Sequence, residues 1–221
     1  MDEINILHEH AVNYGIELSQ KQIDLFKTYL DELTEWNRKI NLTGLSTNEK
    51  IINELFLDSL IPAPYLPKKG RLLDVGSGAG FPGIPLKINS PELHVHLLEP
   101  NSKRTRFLKH IIRLLRLENI DVLKGHIEKA GDILYPGGYN IVTSRALSGL
   151  PQIIDWCAPC LLQDGILIGF LGIEAEDTIQ KCQPALNRHR LDLINKCSYV
   201  LPGKNTKRTT VILKKTLQQS S

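Results

Sequence analysis

Apolar residues recur at three- to four-residue steps through the N-terminal part of the chain. Leu18, Ile23, Phe26, Leu30, Leu33 and Trp36 mark one face, which predicts helix over 4–38. Ser19 is a candidate N-cap for the second half of this stretch. Asn41-Leu42-Thr43-Gly44 breaks the pattern, and a third helix is expected over 48–60. Pro62, Pro64 and Pro67 with Lys68-Lys69-Gly70 read as a connector. Beyond Gly70 short apolar runs alternate with helical stretches. Strands are expected at 71–75, 94–98, 120–124, 139–143 and 165–170, and helices at 83–88, 102–117, 150–162 and 175–186. Residues 196–201 and 209–214 close the pattern as an antiparallel pair. Repeated strand–helix alternation requires crossover connections, hence a parallel sheet. The expectation is an α/β, doubly wound, mostly parallel sheet over 66–221, preceded by a helical extension over 1–65.

The densest chemical signal is the run Leu72-Leu73-Asp74-Val75-Gly76-Ser77-Gly78-Ala79-Gly80-Phe81-Pro82-Gly83. A strand ends in a glycine loop and a helix follows at once. Glycines let backbone approach a ligand closely and take positive φ, and in a doubly wound sheet this turn lies where ligands bind. Residues 78–83 formally match the dinucleotide fingerprint. Yet Pro82 stands where a helix would cradle a pyrophosphate with its first N–H groups, and proline has none to offer. The other frame is Asp74-x-Gly76-x-Gly78-x-Gly80, an acid followed by glycines, as in class I methyltransferases. There the acid is expected near the methionine end of S-adenosylmethionine, a cationic ligand without phosphates. Leu97-Leu98-Glu99-Pro100 ends the second strand, and a carboxylate there can accept both hydroxyls of a ribose in either cofactor.

The loop extended through Ile84-Pro85-Leu86 resembles that of the bacterial small-subunit ribosomal RNA methyltransferase G family, also called glucose-inhibited division protein B. The stretches Trp36-Asn37-Arg38-Lys39-Ile40-Asn41-Leu42-Thr43 and Phe56-Leu57-Asp58-Ser59-Leu60 are similar to its signatures. So are Lys103-Arg104-Thr105-Arg106-Phe107-Leu108, Leu117-Glu118-Asn119-Ile120 and Ser144-Arg145-Ala146, and the similarity spans about residues 20 to 215. The resemblance implies methylation of guanine N7 in 16S ribosomal RNA. It implies S-adenosylmethionine contacts at Gly76, Phe81, Ile127, Glu128 and Arg145, with Glu99 on the ribose; Gly78 of the glycine loop is a further expected cofactor contact. It names no catalytic acid or base. Leu55, His126 and Leu171 stand where the family often has His, Arg and Lys.

Composition narrows little further. The formal charge is +3, which permits a nucleic-acid partner without demanding one. The position of the charge matters more. Lys103, Arg104, Arg106, Lys109, His110, Arg113 and Arg116 lie on one predicted helix, and Lys204, Lys207, Arg208, Lys214 and Lys215 form a second group. Either can face RNA phosphates or plain solvent. Trp156-Cys157-Ala158-Pro159-Cys160 looks like a redox motif but falls late in a predicted helix rather than at a helix start, where a thiolate is stabilised. Cys182 and Cys197 form no second such pair, so no metal is expected. The acidic N-terminus is no signal peptide and no stretch reaches membrane-span length, so a cytoplasmic location is expected. The resemblance implies ribosomal RNA or the ribosomal subunit as the partner, and a monomer is expected. The alternatives are methylation of a small molecule or protein, a nicotinamide-dependent oxidoreductase, and a non-catalytic RNA-binding scaffold.

Overall fold

The computed structural model describes residues 3–145, 149–172 and 175–216. Two helices open the chain, α1 (Asn5–Val12) and α2 (Gln20–Ile40). Ser19 caps α2 with a complete capping box, its hydroxyl accepting from Gln22 N while Gln22 Oε1 accepts from Ser19 N. A third helical stretch runs as α3 (Asn48–Ile51), a π-helical segment (Ile52–Leu57) and α4 (Asp58–Leu60). The π-helical stretch has no counterpart in the apolar periodicity; such segments recur at functional sites.

Strands β1 (Gly70–Val75), β2 (Leu93–Leu98), β3 (Ile120–Leu123), β4 (Tyr139–Ser144), β5 (Leu161–Leu171), β6 (Leu191–Val200) and β7 (Lys207–Lys215) form one sheet in the order β3-β2-β1-β4-β5-β7-β6. The first five are parallel, and β7 enters antiparallel between β5 and β6. The helices between them are α5 (Gly83–Asn89), α6 (Ser102–Leu114), α7 (Leu150–Cys157), α8 (Ala175–Lys181) and α9 (Gln183–His189).

The helix expected over 102–117 ends at Leu114 and the strand expected over 196–201 begins at Leu191. Two further helix expectations need correction. The helix expected over 150–162 stops at Cys157; a single turn containing Pro159 follows, and β5 begins at Leu161. Cys160 therefore lies outside the helix. The helix expected over 175–186 divides at Cys182 and ends only at His189.

The sheet separates two cores. On one side the N-terminal helices, α5 and α6 form a continuous cluster with Leu72, Val95, Leu97 and Ile141. On the other, α7, α8 and α9 cover Leu73, Val75, Val142 and Leu167. Residues 3–65 therefore supply much of one face's hydrophobic cover. Aromatic rings tie that extension to the glycine loop. Tyr29 stacks on Phe81 at 5.5 Å between centroids and 8° between planes, with Phe56 at 5.1 Å on the Tyr29 ring.

Candidate active site

Strand ends gather the candidate residues at the carboxyl edge of the sheet. Gly76 follows β1, Glu99 follows β2, Ile127 and Glu128 follow β3, and Arg145 follows β4. Between β1 and α5 the chain turns through Gly76, Gly78 and Gly80, all at positive φ. The loop hangs on β2, because Gly76 N and Ser77 N both donate to Leu98 O, at 2.8 and 3.1 Å.

Asp74 sits beneath this loop, fully buried. Its Oδ2 accepts from Gly83 N at 3.0 Å and its Oδ1 from the Thr143 hydroxyl at 3.0 Å. The carboxylate thus occupies the N-terminus of α5, where an anion is favoured. Asp74 has no exposed surface and braces the loop through both of its oxygens, so it supports the site from beneath. Burial pushes its carboxyl up to about 6, against the pull of Gly83 N, Thr143, Ser77 and the Arg145 charge. Gly83 is required for this arrangement. A Cβ there would stand 2.4 Å from Leu97 Cδ2 and 2.8 Å from Asp74 Oδ2.

Glu99 closes the loop from the β2 side. Its Oε2 accepts from Gly78 N at 2.8 Å and its Oε1 from Asn101 N at 2.9 Å. A carboxylate has about four acceptor positions, so two remain for hydroxyl groups of a ligand. Phe81 is almost wholly buried in the aromatic stack, so chiefly its backbone is left to face a ligand. Ile127 is half-buried against the second core and Glu128 is exposed. Tyr29, hidden in the periodicity of α2, was not among the expected site residues. Its buried hydroxyl donates to Ala79 O within the glycine loop.

Arg145 is engaged away from Glu99. Its guanidinium turns to the N-terminal extension, where Nη2 meets Asp58 Oδ2 at 2.8 Å and donates to the Glu54 carbonyl. The expected second basic group largely dissolves into internal ties. Lys204 pairs with Glu54 at 2.9 Å, Arg208 with Glu54 and Asp58, and Lys214 with Asp164. Lys215 donates to two backbone carbonyls. Lys103, Arg104, Arg106, Lys109, Arg113 and Arg116 are instead all exposed. Among the described residues none of these six pairs with a carboxylate; on this helix only His110 does, with Glu32.

Burial works against thiolate formation at the cysteines. All four are free thiols; burial raises Cys157 strongly, raises Cys160, and pushes Cys182 up to about 11. Thiolate chemistry at Cys157 and Cys160 is thereby disfavoured. No group of residues suited to hold a metal occurs among the described residues, and none of their helices is long and apolar enough to cross a membrane.

Solved structures share this fold. A ribosomal protein L11 methylase from Lactobacillus delbrueckii subsp. bulgaricus matches with a TM-score of 0.59 at 14% identity, covering 74% of this chain and 79% of the other. M. jannaschii TYW2 in complex with AdoMet matches at 0.57 and 16%, covering 71% and 73%. Fold and site define a class I S-adenosylmethionine-dependent methyltransferase. A family model described as rRNA small subunit methyltransferase G matches residues 22–201. Proteins called ribosomal RNA small subunit methyltransferase G are similar over most of the chain. That of Acetivibrio thermocellus is 38% identical, covering 95% of this chain and 87% of its own, and that of Lactococcus lactis is 34% identical, covering 91% and 87%. The chain belongs to the rRNA small subunit methyltransferase G family.

The donor set fits S-adenosylmethionine. The α5 terminus that would attract a phosphate already carries the Asp74 carboxylate, and Glu99 keeps acceptor capacity beside Gly78.

Proposed function

We propose that this protein transfers a methyl group from S-adenosylmethionine to N7 of a guanine in 16S ribosomal RNA. The observation that carries this reading is the Asp74 brace. A helix N-terminus filled by the protein's own carboxylate suits a ligand without phosphates, and counts against the nicotinamide alternative. In this reading the backbones of Gly76, Gly78 and Phe81 line the cofactor, Glu99 holds its ribose, Ile127 and Glu128 flank its adenine, and Arg145 meets its amino-acid end.

Bound S-adenosylmethionine supplies a methyl group already activated on a sulfonium. Guanine N7 is a lone-pair acceptor on the major-groove edge and carries no proton. The protein's task is therefore alignment rather than proton removal. The rigid loop, hung on Leu98 and capped by Glu99, holds one partner. RNA is met by six exposed cations, five on α6 and Arg116 just beyond it, and α6 begins three residues beyond Glu99. Toward the far end of α6 a groove of about 360 Å³ against the β3 edge is lined by Lys109, Arg113 and Arg116. The exposed large hydrophobics are spread over several elements, which favours a monomer; in this reading it works on RNA or the ribosomal subunit in the cytoplasm. The test is mapping of N7-methylguanine in 16S ribosomal RNA from cells with and without the protein. Loss of one modification in its absence is expected; an unchanged set would overturn the assignment.

A further inference from the structure

At the carboxyl edge of the sheet the N-terminal extension reaches into the site with two acids. Glu54 lies in the π-helical segment and Asp58 opens the turn that follows. Asp58 is almost completely buried. Its Oδ2 takes Arg145 Nη2 at 2.8 Å and Arg208 Nη1 at 3.1 Å, while its Oδ1 accepts from the Tyr199 hydroxyl at 2.8 Å. Arg208 also reaches Glu54 Oε2 through its other terminal nitrogen, at 3.2 Å.

Burying a carboxylate among two partly buried guanidiniums is costly, and the mutual attraction offsets that cost only when geometry is good and donors are satisfied. Here satisfaction is incomplete on one side. Arg145 Nη1 is buried and has no hydrogen-bond partner among the described residues. An orphaned guanidinium donor is uncommon and costs free energy. The other terminal nitrogen, Nη2, is fixed twice, by Asp58 and by the Glu54 carbonyl. The guanidinium is planar and rigid, so two anchors on one nitrogen fix where the other points. Arg145 follows the end of β4, and β4 pairs with β1 up to Ser144 opposite Val75, next to Gly76.

We propose that Asp58 is a positioning residue of the methyl-transfer site: it holds Arg145 so that the free Nη1 edge is presented to the amino-acid end of S-adenosylmethionine. This rests on the reading that Arg145 meets the cofactor. The N-terminal extension then contributes to cofactor affinity through a side chain that never touches the cofactor. Tyr199 acts one step further back, fixing the second oxygen of Asp58 and bonding Thr210 at 3.2 Å.

The experiment is a double-mutant cycle read by calorimetric S-adenosylmethionine affinity, without RNA or turnover, with thermal melts as a control for folding. Asp58→Asn and Arg145→Gln are made singly and together. Each single change is expected to weaken binding by roughly tenfold, and the double change by little more than either, because the two act through one contact. Additive losses, or an unchanged affinity in a folded Asp58→Asn protein alongside a weakened Arg145→Gln, would reduce Asp58 to a structural role while leaving Arg145 in the site. Unchanged affinity in Arg145→Gln removes Arg145 from the cofactor site, and the positioning role falls with it. If Asp58→Asn does not fold at the assay temperature, Tyr199→Phe replaces it in the cycle. It frees only Oδ1 and is expected to give a smaller loss that disappears in the Arg145→Gln background; an unchanged affinity there overturns the proposal.

Discussion

At the residue scale the site turns on one carboxylate and one missing Cβ. Asp74 ionises at about 6 in the folded protein, above its ordinary 3.8, because burial opposes the charge. A folded state with the higher pKa binds more protons than the unfolded chain between those values, so this group lowers stability as pH rises through that window. Between pH 5 and pH 7 the loss from this one group is about 1 kcal/mol. An Asp74→Asn protein can keep both bonds, its oxygen on Gly83 N and its amide on the Thr143 hydroxyl. Its denaturant stability should therefore lack that part of the fall from pH 5 to pH 7. An identical pH dependence in the two proteins would mean that Asp74 is not the titrating group. Gly83→Ala has no such escape, since its Cβ overlaps both Leu97 and Asp74. It should destabilise the protein by about 1–3 kcal/mol through overpacking and weaken S-adenosylmethionine binding in calorimetry. A stable protein with normal affinity would show that α5 can shift without cost.

At the element scale, the proposed function divides the work between α2 as loop support and α6 as the face for RNA. Tyr29 on α2 donates its buried hydroxyl to Ala79 O, so Tyr29→Phe leaves the ring stack and orphans one loop carbonyl. A cost of about 1 kcal/mol in unfolding free energy is expected, with a parallel loss of cofactor affinity. Loss of stability alone would separate the clamp from the site. On α6, Arg106→Glu with Arg113→Glu should weaken RNA binding and shrink its salt dependence, because fewer counterions are released, while cofactor affinity holds. An unaltered salt slope in filter binding would return this helix to ordinary surface. Much of this was legible in sequence. Ser19 as a cap, the strand ends at Val75 and Leu98, and the loop between them follow from periodicity and glycine spacing. Other features arise only from long-range packing. No local pattern marks the π-helical turn at Ile52–Leu57, the burial of Asp58, or the ties that consume Lys204, Arg208 and Lys214. The length of β5 was hidden because Pro159 ends α7 while Leu161 and Leu162 continue its apolar run. Tyr29 was hidden because an aromatic at helical spacing reads simply as core.

At the scale of the whole molecule, the arrangement brings reactants together and moves no proton. With N7 as the nucleophile, the single-turnover methylation rate should be nearly flat across pH 7 to 9, above the Asp74 transition. The cysteines should be dispensable for chemistry, given how strongly burial opposes thiolate at Cys157. A folded Cys157→Ser, Cys160→Ala protein should methylate RNA at a similar rate. A steep rise of rate with one ionisation near neutrality, or a collapse in the cysteine variant, would point to an acid–base or covalent route and away from N7.

The strand order carries a consequence for how the molecule is made. β7 follows β6 in the chain yet lies between β5 and β6. During synthesis β6 emerges before the only neighbour it has, and β5 waits with an open edge until β7 arrives. Unpaired edges invite wrong partners. The nascent chain therefore passes through an interval in which most of the sheet can form while one side is unsealed. The strand that seals it also brings Arg208 to Asp58. The ion cluster at the carboxyl edge therefore cannot be complete before the strand that closes the sheet has arrived.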